Sequence, residues 1–231
     1  MILLVLITTL FILYCSSEAV ANVARHAGAK TQRFSLGLML SNQVYSINRL
    51  NGFMIAPLLG LYVDSGGSEA GLKASALIGC IASGLLLIGI LNVWPFLLGI
   101  CTNLIVGIEA HGFSISAFRG FRSKEEKGEF HFSSRKKDLL VLFGQSLTTS
   151  LSMPTAFLLN LLAIRFPAYQ ATLVQSATVI SGIGNLVLNF YIFPKLALAE
   201  TRGKPDNIYY SITLGKIFGI GVISSCIIAI I

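Results

Sequence analysis

The chain has 231 residues, of which 54% are hydrophobic and only 12% are charged, and its mean hydropathy is +0.77. A water-soluble domain of this length carries far more polar surface, so the composition excludes one and indicates an integral membrane protein. The formal net charge of +7 would suggest nucleic-acid binding in a soluble protein. In a membrane protein it indicates Lys and Arg residues that hold loops on the cytoplasmic side, so we expect no nucleic-acid partner.

Long apolar segments follow one another along the whole chain. Each is near or above the roughly 20 residues that a helix needs to cross the hydrocarbon core. The loops between them are short, so we predict one all-α membrane domain over residues 1–231 with six transmembrane helices. The predicted spans are residues 2–24, 34–62, 72–91, 139–164, 168–193 and 208–231.

The third apolar segment continues past its predicted span and is too long for one helix. The sequence Asn-Val-Trp-Pro, which ends at Pro95, predicts a break, because proline disfavours helical geometry in the residue before it and suits the start of a new helix. If residues 95–118 do not cross the membrane, Lys73 and Arg165 are the only basic residues in loops on the outer side. A seventh crossing would leave four basic residues on that side. The positive-inside rule therefore favours six spans with both termini outside and an interfacial or re-entrant helix at 95–118.

The second predicted span is polar where a purely anchoring helix would carry leucine. Arg49 stands near its middle, and a charged group at membrane depth costs at least about 3 kcal/mol. We therefore expect Arg49 to face a protein interior or a water-filled cavity. The amides on the same span are those of Asn42, Gln43, Asn48 and Asn51.

Polar side chains recur at one depth in the bundle. Counted from the predicted cytoplasmic ends at about 1.5 Å per residue, five spans each place a polar residue roughly 10 to 14 Å deep. Glu18 and Lys216 are the best matched candidate ion pair at this depth. Arg49 and Lys216 also indicate an anion-binding site, because at most one acidic residue is available to pair with these two cations. Amides that merely join helices remain an alternative. The five residues are Glu18, Asn42, Gln145, Asn185 and Lys216.

Residues 18–64 contain two distinctive stretches. E-A-V-A-N-V-A-R-H-A-G-A-K-T begins at Glu18, with S-L-G-L following from Ser35, and N-R-L-N-G-F-M-I-A-P-L-L-G-L-Y-V-D ends at Asp64. Together they resemble the Amj family of bacterial lipid II flippases, in which a first span ends in R-x-A-G-x-x-T and a second carries an Arg and closes in A-P-L-L-G-x-x-V-D. The positions that match are Arg25, Gly28, Thr31, Arg49, Pro57, Gly60 and Asp64.

The resemblance implies a transporter rather than an enzyme. It would move lipid II, an undecaprenyl-pyrophosphate-linked disaccharide-pentapeptide, from the inner to the outer leaflet of the bacterial cytoplasmic membrane. Lipid II and membrane lipids would be its partners, with no cofactor, metal or catalytic residue and an oligomeric state that is not predicted. We expect amides to bond sugar and peptide groups, and Arg49 and Lys216 to hold the pyrophosphate. The candidate substrate-binding residues are Glu18, Arg25, Asn42, Asn48, Arg49, Asn51, Gln145, Asn185, Asn189 and Lys216.

Three other functions stay open. The protein could export another polyprenyl-linked glycan, or move a small solute with an ion, although no duplicated halves are visible. An enzyme acting on isoprenoid phosphates would need a carboxylate cluster or a histidine nucleophile, for which Asp64, Glu69, His26 and His111 lack a recognisable spacing. A scaffold without transport activity would predict that the buried cations are dispensable.

Overall fold

The computed structural model describes residues 1–112, 136–203 and 205–231, and these residues form helices joined by short turns, with no strand among them. The helices are α1 (Ile2–Lys30), α2 (Phe34–Asp64), α3 (Glu69–Asn92), α4 (Trp94–His111), α5 (Lys136–Ser152), α6 (Thr155–Arg165), α7 (Gln170–Val187), α8 (Phe193–Thr201), α9 (Asp206–Lys216) and α10 (Ser225–Ile230). A π-helical segment, Leu188–Ile192, joins α7 to α8, and a second, Ile217–Ser224, joins α9 to α10.

The protein is an all-α, multi-pass membrane protein. In the described part of the chain, six helical segments are long and apolar enough to cross a membrane, and five of them coincide with predicted spans. The sixth is α4, in the region where the sequence predicts an interfacial helix. The second predicted span forms α2, which has 31 residues but is not among the six, because Asn48, Arg49 and Asn51 lower its hydropathy.

The spans formed by α1, α2, α3, α5–α6, α7–α8 and α9–α10 alternate in direction along the chain, which gives the bundle two ends. At the first, the Glu69 end, the starts of α1, α3 and α7 meet the ends of α2, α6 and α10. There the Thr8 and Ser75 hydroxyls lie 2.6 Å apart, and the Lys73 ammonium donates to the Ala229 carbonyl at 3.0 Å. Arg165 pairs with Glu69 at the same end.

The opposite end, the His26 end, gathers the end of α1, the junction of α3 and α4, the end of α8 and the start of α9. His26 lies 2.7 Å from Asp206, and its other ring nitrogen accepts a hydrogen bond from Trp94 at 3.2 Å. Both His26 and Trp94 are fully buried, so this end of the bundle is packed.

α4 packs against α1 near the His26 end. Trp94 at its start contacts His26, and Glu109 near its end pairs with Arg33, in the short turn between α1 and α2. Trp94 and Glu109 are about 22 Å apart along α4, whereas His26 and Arg33 are separated by only about two helical turns of chain. α4 therefore runs obliquely to the end of α1. Because α4 is long and apolar enough to cross a membrane, the interfacial or re-entrant helix at 95–118 stays a prediction, and residues 113–118 of it lie outside the described residues.

Helix α1 is longer than its predicted span. The sequence predicts a loop from Arg25 onward, but α1 continues to Lys30. Alanine has the highest helix propensity, and this segment is rich in it. A methyl group added to Gly28 would lie 2.5 Å from the Gly37 Cα, so α1 and α2 touch backbone to backbone beside the turn.

Candidate functional site

A cavity of about 570 Å³ lies in the half of the bundle nearer the His26 end. Its walls come from α1, α2, α5, α9 and the α7–α8 segment. Nine of the ten candidate binding residues line it: Glu18, Arg25, Asn42, Asn48, Arg49, Gln145, Asn185, Asn189 and Lys216.

Asn51 is the candidate residue that does not line the cavity. It stands two positions after Arg49, which is about 200° around the helix, so its side chain leaves α2 on the far side. Sequence reasoning missed Asn22 and Tyr45, which do line the cavity. Helical spacing could have indicated both, because Asn22 follows Glu18 by four residues and Tyr45 precedes Arg49 by four.

The predicted ion pair between Glu18 and Lys216 is confirmed. Lys216 Nζ lies 2.6 Å from Glu18 Oε2, and only 3% of the Lys216 side chain is exposed. The charge of Lys216 is therefore balanced by a carboxylate in the same wall, so the pair adds no net charge to the cavity.

Arg25 has a carboxylate partner that the sequence did not reveal. Its Nε and Nη2 atoms donate to the two carboxylate oxygens of Glu200 at 2.8 and 3.1 Å, and the Tyr209 hydroxyl also donates to Glu200. Glu200 therefore balances Arg25, and Arg49 and Lys216 have one acidic partner between them in the described chain, Glu18, as the sequence predicts. The sequence predicts that the fifth span ends before Pro194; instead, α8 begins at Phe193 and carries Glu200, because proline is tolerated in the first turn of a helix.

Arg49 is the cation without a partner. Within the described residues, no carboxylate pairs with it and no hydrogen bond holds its guanidinium. The neighbouring Asn48 side chain is buried and accepts a hydrogen bond from the Ser17 hydroxyl at 2.6 Å. With Arg25 and Lys216 each balanced by a carboxylate, the excess positive charge of the cavity is that of Arg49.

The exposure of the lining residues shows where the cavity opens. The walls formed by α1, α5 and α9 are buried: Asn22, Gln145 and Lys216 are 3–4% exposed. By contrast, four of the polar residues on α2, on α7 and on the segment that continues α7 are exposed, as are the neighbouring apolar side chains Leu186 and Phe190. The mouth therefore lies between α2 and α7 and faces sideways. The exposed polar residues are Asn42, Arg49, Asn185 and Asn189.

α2 and α7 meet at the Glu69 end, where the Gln170 amide donates to the Asp64 carboxylate at 3.0 Å. Closer to the His26 end, both helices line the cavity. α2 and α7 therefore form the mouth in the half of the bundle nearer the His26 end and are joined by a hydrogen bond at the Glu69 end.

Beyond Arg25, toward the His26 end, aromatic and ionic contacts fill the bundle. His26 stacks on Tyr209 with ring centroids 4.5 Å apart, and the Arg25 guanidinium lies 5.7 Å from the centre of the Phe193 ring. The Trp94 indole can only donate, so the His26 Nδ1 atom accepts and Nε2 carries the proton that faces Asp206. His26, isolated in the sequence, thus joins α1, α4 and α9.

Residues 1–112, 136–203 and 205–231 contain no group of three or more His, Cys, Asp or Glu side chains placed to hold a metal ion. Comparisons of the chain with models of known protein families, with curated protein sequences and with solved structures found no match.

Proposed function

We propose that this protein is a flippase that moves lipid II from the leaflet at the His26 end to the opposite leaflet. The observation that carries the proposal is a polar cavity with one unbalanced cation, Arg49, whose mouth opens sideways between α2 and α7. Such a cavity suits an amphiphile, because the anionic head group can enter from the side while the apolar tail stays in the bilayer.

The chemistry of the walls suits a pyrophosphate-linked sugar. A guanidinium binds phosphate oxygens in matching geometry, and Arg49 is free to do so. Asn185 and Asn189 are four residues apart on one face of the α7 segment and point their amides into the same space, where they can bond sugar hydroxyls. The buried Gln145 amide supplies a further polar group at the back of the cavity.

The choice of lipid II over other polyprenyl-linked glycans rests on the resemblance over residues 18–64. Of its positions, Arg25 and Arg49 line the cavity, Gly28 sets the contact between α1 and α2, and Asp64 joins α2 to α7. The cavity lies within the usual size range of small-molecule sites. It is smaller than a disaccharide-pentapeptide, so part of the head group would extend through the mouth or α2 and α7 would move apart.

The distribution of basic residues supports the direction. Lys73 and Arg165 lie at the Glu69 end, whereas most other basic residues of the described chain lie toward the His26 end. Under the positive-inside rule this distribution favours a cytoplasmic His26 end with both termini outside. The bacterial cytoplasmic membrane is part of the proposal and rests on the resemblance over residues 18–64. The basic residues near the His26 end include Arg25, Lys30, Arg33, Lys195 and Arg202.

The test is transport by the purified protein in vesicles that contain lipid II and an added enzyme that cleaves lipid II only at the outer surface. Vesicles without protein should lose only the lipid II of their outer leaflet, whereas vesicles with the protein should lose the inner-leaflet share as well. Retention of that inner share, with the protein folded and inserted, would refute the proposal. A second undecaprenyl-pyrophosphate glycan in parallel vesicles distinguishes lipid II from the alternative substrate class.

A further inference from the structure

A polar stripe runs along the exposed face of α2 from its first turn to the cavity mouth. We call it the α2 stripe; its residues are all exposed and are Ser35, Asn42, Gln43, Ser46 and Arg49. Their spacing places them on one side of the helix. A surface groove of about 430 Å³ follows the stripe from Ser35 to Ser46, and it shares Leu38 and Asn42 with the walls of the cavity.

The stripe stops at Arg49. Further along α2 the same face is exposed but apolar, through to the Glu69 end. From Ser35 to Arg49 the stripe covers about 21 Å of helix, which is about half the thickness of a bilayer with its head-group regions. The apolar residues that continue this face are Leu50, Phe53, Ala56, Pro57 and Leu61.

Exposed amides at this depth need a polar occupant, because hydrocarbon offers them no hydrogen bonds. The Ser46 hydroxyl donates to the Asn42 carbonyl at 2.9 Å, and its oxygen can still accept a hydrogen bond from such an occupant. A second copy packed symmetrically on the stripe would bring two Arg49 guanidinium groups together, with no carboxylate among the stripe residues to separate them. An anionic, hydroxyl-rich head group instead complements both the hydrogen-bonding groups and the positive charge at the end of the stripe.

We propose that the α2 stripe is the path by which the phosphate-sugar head group of a lipid travels from the interface at the His26 end to Arg49, while its tail remains in the bilayer. Because the stripe ends halfway, the cavity is loaded only from the leaflet at the His26 end. The inference rests on the proposed function and adds to it the route and the loading side.

The experiment compares two double variants in the same lipid II vesicles. Gln43→Leu with Ser46→Leu removes two polar groups of the stripe, and neither residue lines the cavity. Gln175→Leu with Thr178→Leu is the matched control, since both residues are exposed on α7, away from the cavity, with the same spacing. Leucine suits a lipid-facing position, so both variants should insert normally.

We expect the stripe variant to transport lipid II roughly tenfold more slowly than the wild-type protein, because two hydrogen bonds to the head group are lost. We expect the control variant to transport lipid II at the wild-type rate. Transport by the stripe variant at the control rate would overturn the path, whereas absence of transport by the wild-type protein would overturn the proposed function itself.

A photo-reactive side chain in place of Gln43 gives an independent measurement. Cross-linking to the lipid head group is expected if the stripe is the path. Cross-linking to a second copy of the chain, with none to lipid, would assign the stripe to an interface between copies and overturn the proposal.

Discussion

Three cations line the cavity, and they differ in what balances them. Glu200 holds Arg25 through two hydrogen bonds, Glu18 holds Lys216, and Arg49 faces the mouth without a carboxylate. A buried pair contributes little net stability, but removing one partner leaves a charge that the protein interior cannot solvate. Arg25 and Lys216 therefore act mainly in holding the walls together, and Arg49 is the cation available to a ligand.

This difference predicts how the Glu18–Lys216 pair responds to substitution. Lys216→Met should destabilise the protein by about 3 kcal/mol, because it leaves the Glu18 carboxylate without its cation in a mostly buried wall. Adding Glu18→Gln to Lys216→Met should recover most of the loss, since no unpaired charge then remains. Thermal unfolding in detergent measures both; a double variant as unstable as Lys216→Met alone would show that the pair is not what stabilises the wall.

At the scale of helices, the relation between α2 and α7 decides access to the cavity. The two helices are bridged at the Glu69 end by Asp64 and Gln170 and line the mouth farther along. The π-helical turn Leu188–Ile192 stands beside the mouth and carries Asn189; such turns often mark functional sites in helices. Delivery to the opposite leaflet would require α2 and α7 to separate where they are now bridged.

A cross-link between α2 and α7 should therefore stop transport. Asp64→Cys with Gln170→Cys, joined by a short reducible thiol cross-linker, would fix the bridge at the Glu69 end. Cys101 and Cys226, which are not buried, are replaced by serine to prevent side reactions. We expect lipid II transport to fall to the protein-free level on cross-linking and to return on reduction, with either single cysteine variant unaffected; undiminished transport by fully cross-linked protein would rule out this gate.

Five of the six predicted spans coincide with helices that are long and apolar enough to cross a membrane, and the sequence also predicts the polar level, because residue number converts to depth along such helices. This conversion brings Glu18 opposite Lys216, as the structure confirms. Rotation about each helix is not fixed by depth, and Asn51 therefore faces away from the cavity. Glu200 was missed because Pro194 reads as the end of a span, whereas it stands in the first turn of α8.

At the scale of the whole molecule, the bundle is asymmetric along its length. The cavity, its mouth and the α2 stripe all lie toward the His26 end, and the opposite half of α2 presents apolar side chains such as Phe53. Arg49, the cavity cation that no carboxylate balances in the described chain, stands where the polar half of α2 meets its apolar half. A molecule built in this way is suited to accept an anionic lipid from one leaflet, and Arg49 is the point at which that lipid would have to be held.

The most direct test is the amount of lipid II that an externally added enzyme can cleave in bacterial cells from which all other lipid II flippases have been removed. We expect the wild-type protein to restore outward exposure, and Arg202→Ala to do so equally, because Arg202 is exposed and lies outside the cavity. Arg49→Ala should lower exposure at least about tenfold, since charge-assisted bonds to the pyrophosphate are lost. Full exposure with Arg49→Ala at equal protein abundance would contradict the account.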